Sequence, residues 1–211
     1  MQSFSKNKII PPEVLLNGYK NGIFPMSESR EDESVGWYSA RRRGIIPIEN
    51  FRVSSNVQRI IRQGRYTCRV DTCFREVMEE CANRETTWIS EVIINSFEML
   101  HLAGHAHSVE MFDKDENLVG GSYGVSLGAA FFGESMFKKA READKIALWN
   151  THQILNNNGF ELWDTQFYTN HLAQFGCIEI SDEEYKRRLN QALQKEAVFE
   201  KNLSDKKFYL K

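Results

Sequence analysis

Long apolar runs are missing from this 211-residue chain. No stretch approaches the roughly 18 uninterrupted apolar residues that a membrane span needs. Residues Met1 to Pro11 hold no apolar core followed by a small-residue cleavage site, so no secretory signal is visible. Glycine (13 residues) and proline (4) are few, while 41% of residues are hydrophobic and 27% charged, which excludes a disordered, collagen-like or low-complexity protein. No internal repeat is present. The four cysteines, Cys68, Cys73, Cys81 and Cys177, follow neither CxxC nor zinc-finger spacing, and read as reduced thiols of a cytoplasmic protein. No Ser–His–Asp arrangement stands out, and Ser135 lacks the GxSxG of a nucleophile elbow. A chain of this length buries roughly 70% of the surface its unfolded form exposes, enough for a core without staples.

What is present is an uneven distribution of charge. The formal net charge is −2, yet residues 41–69 carry eight arginines (Arg41, Arg42, Arg43, Arg52, Arg59, Arg62, Arg65 and Arg69) and no lysine, with Glu49 the one acid. Arginine forks onto phosphate through two parallel bonds, where lysine acts as a point charge. The segment therefore reads either as a phosphate-binding footprint or as a solvated face with carboxylate partners inside the chain.

The first part of the chain predicts a short helix from Pro11 to Asn21 and an exposed acidic loop from Met26 to Val35. Residues 1–42 are too few for a core of their own and read as an annex on a main domain of residues 43–211. In that domain Ser54 or Ser55 caps a helix running to Gly64, Tyr66–Val70 reads as a strand, and Cys73–Ala82 as a helix. Ser90 caps a second helix that ends at Gly104. Three strands follow in close order, Ala106–Phe112, Leu118–Leu127 and Ala129–Phe137, joined by DKDEN and by a corner at Gly128. A long helix, Ala143–Asn157, precedes a strand at Phe160–Phe167, a helix-like link and another strand at Cys177–Ile180. Ser181 and Glu184 then make a capping box for a last helix. This order predicts an α+β fold, with a mostly antiparallel mixed sheet flanked by helices and one late crossover. It resembles the GNAT-type acyltransferase fold.

Two places carry chemistry in apolar surroundings. In AAFFGESMF, alternation puts Phe132, Glu134 and Met136 on one strand face. A carboxylate there is costly unless something positive meets it, either an arginine of the chain or a cationic ligand. In FELWDTQFYTN, Asp164 and Gln166 share a strand face, opposite Trp163 and Thr165. Asp164 can accept an N–H of the Gln166 amide and so present its carbonyl oxygen outward; the same pair also reads as a satisfied buried contact. His105 and His107 share a face too, but no third ligand stands at metal-binding spacing, and a structural or substrate-contacting role is expected. Trp88 and Trp163 read as core residues or as stacking plates. GNAT acetyltransferases cradle the coenzyme A pyrophosphate on a Gly-rich loop at a helix start. The corresponding stretch here, KKAREADK at 138–145, has no glycine, which argues against the alternative of a coenzyme A-dependent N-acyltransferase.

The segments NGIFPM (21–26), CANRETTWIS (81–90), LHLAGHAHSVE (100–110), LVGGSYGVSLGAAFFGESMF (118–137) and DTQFYTNHLAQFGC (164–177) resemble leucyl/phenylalanyl-tRNA–protein transferase over about residues 12–190. The resemblance implies an enzyme that moves Leu or Phe, or Met, from aminoacyl-tRNA to the N-terminal Arg or Lys of an acceptor protein, creating a degradation signal. It implies no metal and no cofactor, a cytoplasmic setting, and a monomer. By the same resemblance Glu134 holds the cationic acceptor end, Asp164 orients Gln166 toward the attacking amine, and Trp88 lies near the terminal adenosine. Arg41, Arg42, Arg43, Arg59 and Arg62 would meet tRNA phosphates. Ser122, Leu148, Thr151, Leu155 and Trp163 stand at the donor-pocket positions. Departures are Met26, where an aromatic usually follows Phe-Pro, Thr151 in place of a large apolar residue, and Trp163 in place of a smaller aliphatic one. The chain also opens without the usual Gly-rich segment.

Overall fold

The computed structural model describes residues 8–200. The reading of the N-terminus as free of a secretory signal falls mostly on residues 1–7, outside the described residues. Helix α1 (Pro12–Lys20) opens on a proline in its first turn, where the missing N–H would have had no partner. An antiparallel hairpin of β1 (Phe24–Met26) and β2 (Gly36–Tyr38) flanks the acidic loop. Next come β3 (Arg42–Ile45), a 3-10 turn at Ile48–Asn50, α2 (Ser55–Arg62), β4 (Thr67–Val70), α3 (Phe74–Ala82) and α4 (Glu91–Leu102). The meander β5 (Ala106–Phe112), β6 (Leu118–Leu127) and β7 (Ala130–Lys138) leads into α5 (Ala143–Asn157). The chain continues through β8 (Leu162–Gln166), the single turn α6 (Asn170–Ala173), β9 (Ile178–Ser181) and α7 (Asp182–Leu193). Strands β1, β2 and β3 and the 3-10 turn are additions to the sequence expectation, and α6 stands where a helix-like link is expected; the other elements match it within two residues at each end.

Local chemistry sets the boundaries. Ser54 Oγ accepts the Val57 N–H at the start of α2, and Ser181 Oγ accepts that of Glu184 at the start of α7. Asp113 accepts the N–H groups of Asp115 and Asn117 in the β5–β6 turn. Gly128, at φ +56°, turns β6 back into β7.

Seven strands form the main sheet in the order β4-β5-β6-β7-β8-β3-β9. Only the β7–β8 pair is parallel, and α5 supplies the crossover that a parallel pair requires. One face packs Leu15, Tyr19, Val77, Phe97, Tyr185 and Leu189, from α1, α3, α4 and α7, around Phe132. The other packs Val57 and Ile60 of α2 and Ile146 and Leu155 of α5 around Phe131 and Trp163. Because both faces are covered, β5 is buried at every position, and its polar residues His107, Ser108 and Glu110 are met by hydrogen bonds from Asp71, Thr72 and Ser126 or from one another. The fold is thus α+β, with a mixed, mostly antiparallel sheet between helices. No helix among the described residues is long and apolar enough to cross a membrane. The four cysteines are free.

Candidate active site

The β6–β7 pairing slips at one point. Tyr123 faces Ser135 and Gly124 faces Gly133, so Glu134 is the extra residue of a β-bulge. A Cβ on Gly124 would run into the Phe132 carbonyl, so glycine permits the slip. The bulge corrects the expected alternation. Phe132 and Phe137 pack on the α3 side, while Phe131 and Met136 pack with Trp163 on the α5 side, so Met136 does not share a face with Phe132.

Released from the pleat, the half-buried Glu134 side chain meets α1 and β8. Its Oε1 accepts the Tyr19 hydroxyl at 2.7 Å and the Gln166 Nε2–H at 3.3 Å. Among the described residues no arginine or lysine pairs with it directly; Arg43, held on Asp164, acts on it only through space. Burial pushes the Glu134 carboxyl up to about 8, with the Tyr19 hydrogen bond partly opposing the rise and the Asp164 charge adding to it.

The arginine goes to Asp164 instead. Arg43, 1% exposed, donates Nε to Oδ1 at 2.9 Å and Nη2 to Oδ2 at 2.7 Å, and its Nη1 reaches the Gly22 carbonyl at 2.9 Å. Tyr185 donates its hydroxyl to Asp164 Oδ2 at 2.7 Å. Burial by itself would lower the Arg43 pKa, but the adjoining carboxylate more than offsets this and raises it. Two expectations are corrected here. Arg43 is sealed in the core by an internal ion pair and has no path to phosphate. Asp164 accepts the Gln166 backbone N–H, at 2.8 Å, and not its side-chain amide, which Glu134 takes. Gln166 stands at φ +56°, a left-handed conformation that costs a non-glycine residue on the order of 1 kcal/mol or more. Gly44 pairs with it from β3, and a Cβ on Gly44 would lie 2.5 Å from the Phe167 carbonyl carbon.

Glu134 and Gln166 line an open cleft of about 780 Å³, together with Met26, Arg84, Trp88 and Phe167. A smaller cavity of about 70 Å³ adjoins it, also lined by Glu134, with Ser122, Leu148, Thr151 and Trp163 as walls. Thr151 Oγ1 donates to the Ala147 carbonyl at 3.0 Å and lies 3.3 Å from Ser122 Oγ, so the two hydroxyls satisfy each other within the wall. Leu155 does not line this cavity; it is fully buried in the core cluster that also holds Leu148, Phe160 and Trp163.

Arg41, Arg42, Arg59 and Arg62 stay outside the cleft. Arg41 is exposed beside Asn21 and Tyr185, and Arg42 pairs with Glu179 at 3.1 Å. Arg59 and Arg62 are exposed on α2 and bond only the neutral Asn56 and Gln58 side chains. His107 is held by Asp71 at 2.9 Å and by Ser126 at 3.1 Å, in a buried network below β5. Helix α5 opens on Glu142, paired with Lys145 at 2.8 Å, and on the buried Asp144, 3.8 Å from Lys138, without a glycine in the turn. Sequence reasoning missed Tyr19, Tyr185 and Arg84. The two tyrosines read as apolar helix positions, and nothing in their spacing reports where a hydroxyl ends.

The model of the family leucyl/phenylalanyl-tRNA protein transferase matches residues 45–190, and that of its N-terminal domain residues 9–41. A leucyl/phenylalanyl-tRNA–protein transferase of Ruegeria pomeroyi is 48% identical over 190 residues, covering 90% of each chain. One of Herpetosiphon aurantiacus is 49% identical over 193 residues, covering 91% of this chain and 99% of that one. Among solved structures, that of L-PGS from Bacillus licheniformis aligns with a TM-score of 0.43 at 15% identity, over 84% of this chain and 68% of the other. With family models across both the annex and the sheet, and relatives near half identity along almost their whole length, the chain belongs to the leucyl/phenylalanyl-tRNA–protein transferase family.

Proposed function

We propose that this chain carries out its family's reaction, transfer of an amino acid from aminoacyl-tRNA to a protein, at the cleft where Glu134 and Gln166 meet. The donor ester is already activated, so no covalent enzyme intermediate is required. The nucleophile is an α-amine with an ordinary pKa near ~8, which leaves a useful neutral fraction at pH 7. The remaining task is to hold amine and ester together, and proximity can lower the barrier by about 7–11 kcal/mol. Gln166 donates one N–H of its amide to Glu134, which orients the side chain, and its Oε1 is offered to accept a hydrogen bond from the attacking amine. Glu134 spends Oε1 on Tyr19 and Gln166, so Oε2 is free for the cationic end of an acceptor with N-terminal Arg or Lys. Asp164 acts one step back, fixing the strained Gln166 backbone and the Arg43 guanidinium. The 70 Å³ cavity takes the donor side chain, Leu, Phe or Met, and Trp88 and Met26 flank the terminal adenosine. The exposed Arg41, Arg42, Arg59 and Arg62 supply positive charge for the tRNA body.

We read residues 1–42 as an annex contributing Tyr19 to a GNAT-like catalytic domain of residues 43–211, in a cytoplasmic monomer without cofactor. The observation that carries the proposal is the Gln166–Glu134 hydrogen bond on the floor of an open cleft beside an apolar cavity. The test is transfer of labelled Leu, Phe or Met from a panel of charged tRNAs to peptides beginning with Arg, Lys or Ala. Ribonuclease-sensitive transfer to the Arg and Lys peptides is expected; no transfer from any of the three tRNAs overturns the proposal.

A further inference from the structure

The cleft wall carries a cation that the transfer chemistry does not use. Arg84 lies in the segment between α3 and α4, four residues before Trp88, and both line the cleft. One of its nitrogens, Nη2, donates to Ser135 Oγ at 2.8 Å and to the Met136 carbonyl at 2.6 Å, which fixes the guanidinium beside the bulge that carries Glu134. Among the described residues no carboxylate pairs with it. Lys138 and Lys139 line the same cleft. Glu80 holds Lys139 at 2.7 Å, while Lys138, largely exposed, stands 3.8 Å from Asp144. Beyond them the turn into α5 exposes Arg141, whose carbonyl accepts the Tyr66 hydroxyl at 2.9 Å, and Glu142 accepts a bond from Asn56 on α2 at 3.4 Å. The turn thus connects the cleft wall to the helix that bears Arg59 and Arg62.

We propose that Arg84, with Lys138 beside it, binds the phosphodiester that joins the terminal adenosine of the donor to the preceding nucleotide, and that the strand leaves the cleft over the turn at Arg141 toward α2. This rests on the cleft being the transfer site. An anchored guanidinium that lines the cleft with no carboxylate partner is suited to a phosphate. Its distance in sequence from Trp88 is short enough for one nucleotide's base and phosphate to be read by a single segment. Glu80 is the neighbour that limits the contribution of Lys139.

The test compares two donors with an Arg-initiated acceptor peptide. One is the 3′-leucyl ester of adenosine, which has no phosphate; the other is the 3′-leucyl ester of the trinucleotide CCA, which has two. In the wild-type protein the trinucleotide donor is preferred, and its preference declines with added salt, by a log–log slope of about −0.7 per phosphate contacted. Arg84→Ala is expected to cut the ratio of kcat/KM for the two donors roughly tenfold, the effect of losing one charge-assisted bond. Arg84→Lys should restore part of it, and Lys138→Ala should lower the ratio by a smaller factor. If the Arg84→Ala and Lys138→Ala proteins both keep the wild-type ratio while overall rates fall, Arg84 serves only to brace the bulge and the inference is wrong. If the wild-type protein transfers from neither ester nor from charged tRNA, the transfer site itself is misassigned, and the phosphate contact is overturned with it.

Discussion

Gln166 donates its side-chain amide to Glu134 across 3.3 Å, while Asp164 takes its backbone N–H at 2.8 Å. The two grips fix the backbone and the amide plane of Gln166, and leave its side-chain oxygen to accept a hydrogen bond from substrate. Gln166→Glu replaces this donor–acceptor contact with two facing carboxyls. Like charges in a shared site disfavour double ionisation, so one of them takes up a proton near neutral pH. The variant should lose kcat by about 10²-fold or more, the range for removing a group that assists proton transfer, with a smaller change in acceptor KM. A kcat equal to wild type would remove Gln166 from the reaction.

Glu134 gives a pH dependence with a definite sign. Its carboxyl is pushed up to about 8, so at pH 7 it is mostly protonated in the free protein. A cationic acceptor requires the carboxylate. The KM for an Arg peptide should therefore fall as pH rises toward 8, and peptide binding at pH 7 should release a proton, measurable by calorimetry in buffers of different ionisation enthalpy. The same raised pKa bears on stability: the neutral form is the comfortable one, so this group's contribution is full below the ordinary carboxylate range and is lost as pH rises to about 8. Glu134→Gln should flatten both profiles.

The Arg43–Asp164 pair is fully buried. Asp164→Ala strands the guanidinium, and losing one partner of such a pair costs about 3–5 kcal/mol. Urea denaturation should show a lower midpoint with an unchanged slope. Arg43→Ala should show a comparable loss, yet leave the salt dependence of tRNA binding unaltered. Arg59→Ala and Arg62→Ala should do the reverse, each flattening the log–log slope by up to about 0.9 for a duplex contact.

The donor cavity predicts a selectivity change. Trp163 occupies a wall of it, and a Cβ on neighbouring Gly133 would already lie 3.1 Å from the indole nitrogen. Trp163→Ile opens that space. The Phe-to-Leu preference should move toward Phe by roughly 5- to 20-fold, within the ~1–3 kcal/mol that apolar pocket contacts discriminate. An unmoved ratio would place the donor side chain elsewhere.

Much of the sheet was legible because its signals are local. Ser54 and Ser181 cap their helices, and Asp113 and Gly128 turn the strands of the meander. Glu134 and Gln166 were legible as candidates because polar groups among apolar strand residues demand a partner. The partners were not. A charge run treats its arginines alike, and only the insertion of β3 beside β8 separates Arg43, inside, from Arg42, at the surface. The bulge at Glu134 was equally hidden, since alternation cannot announce its own interruption. Of the donor-pocket positions, Ser122, Leu148, Thr151 and Trp163 came from resemblance and line the cavity, whereas Leu155 does not line it.

The placement of β3 also governs when the enzyme can first exist. Residues 42–45 leave the ribosome well ahead of β8 and β9, the two strands between which they finally lie. Until those arrive, Arg43 waits without a counter-charge and the far half of the sheet has no middle. Activity should consequently appear only after nearly the whole chain has been synthesised, and a nascent product halted before β9 should be a substrate for proteases, not a slow enzyme.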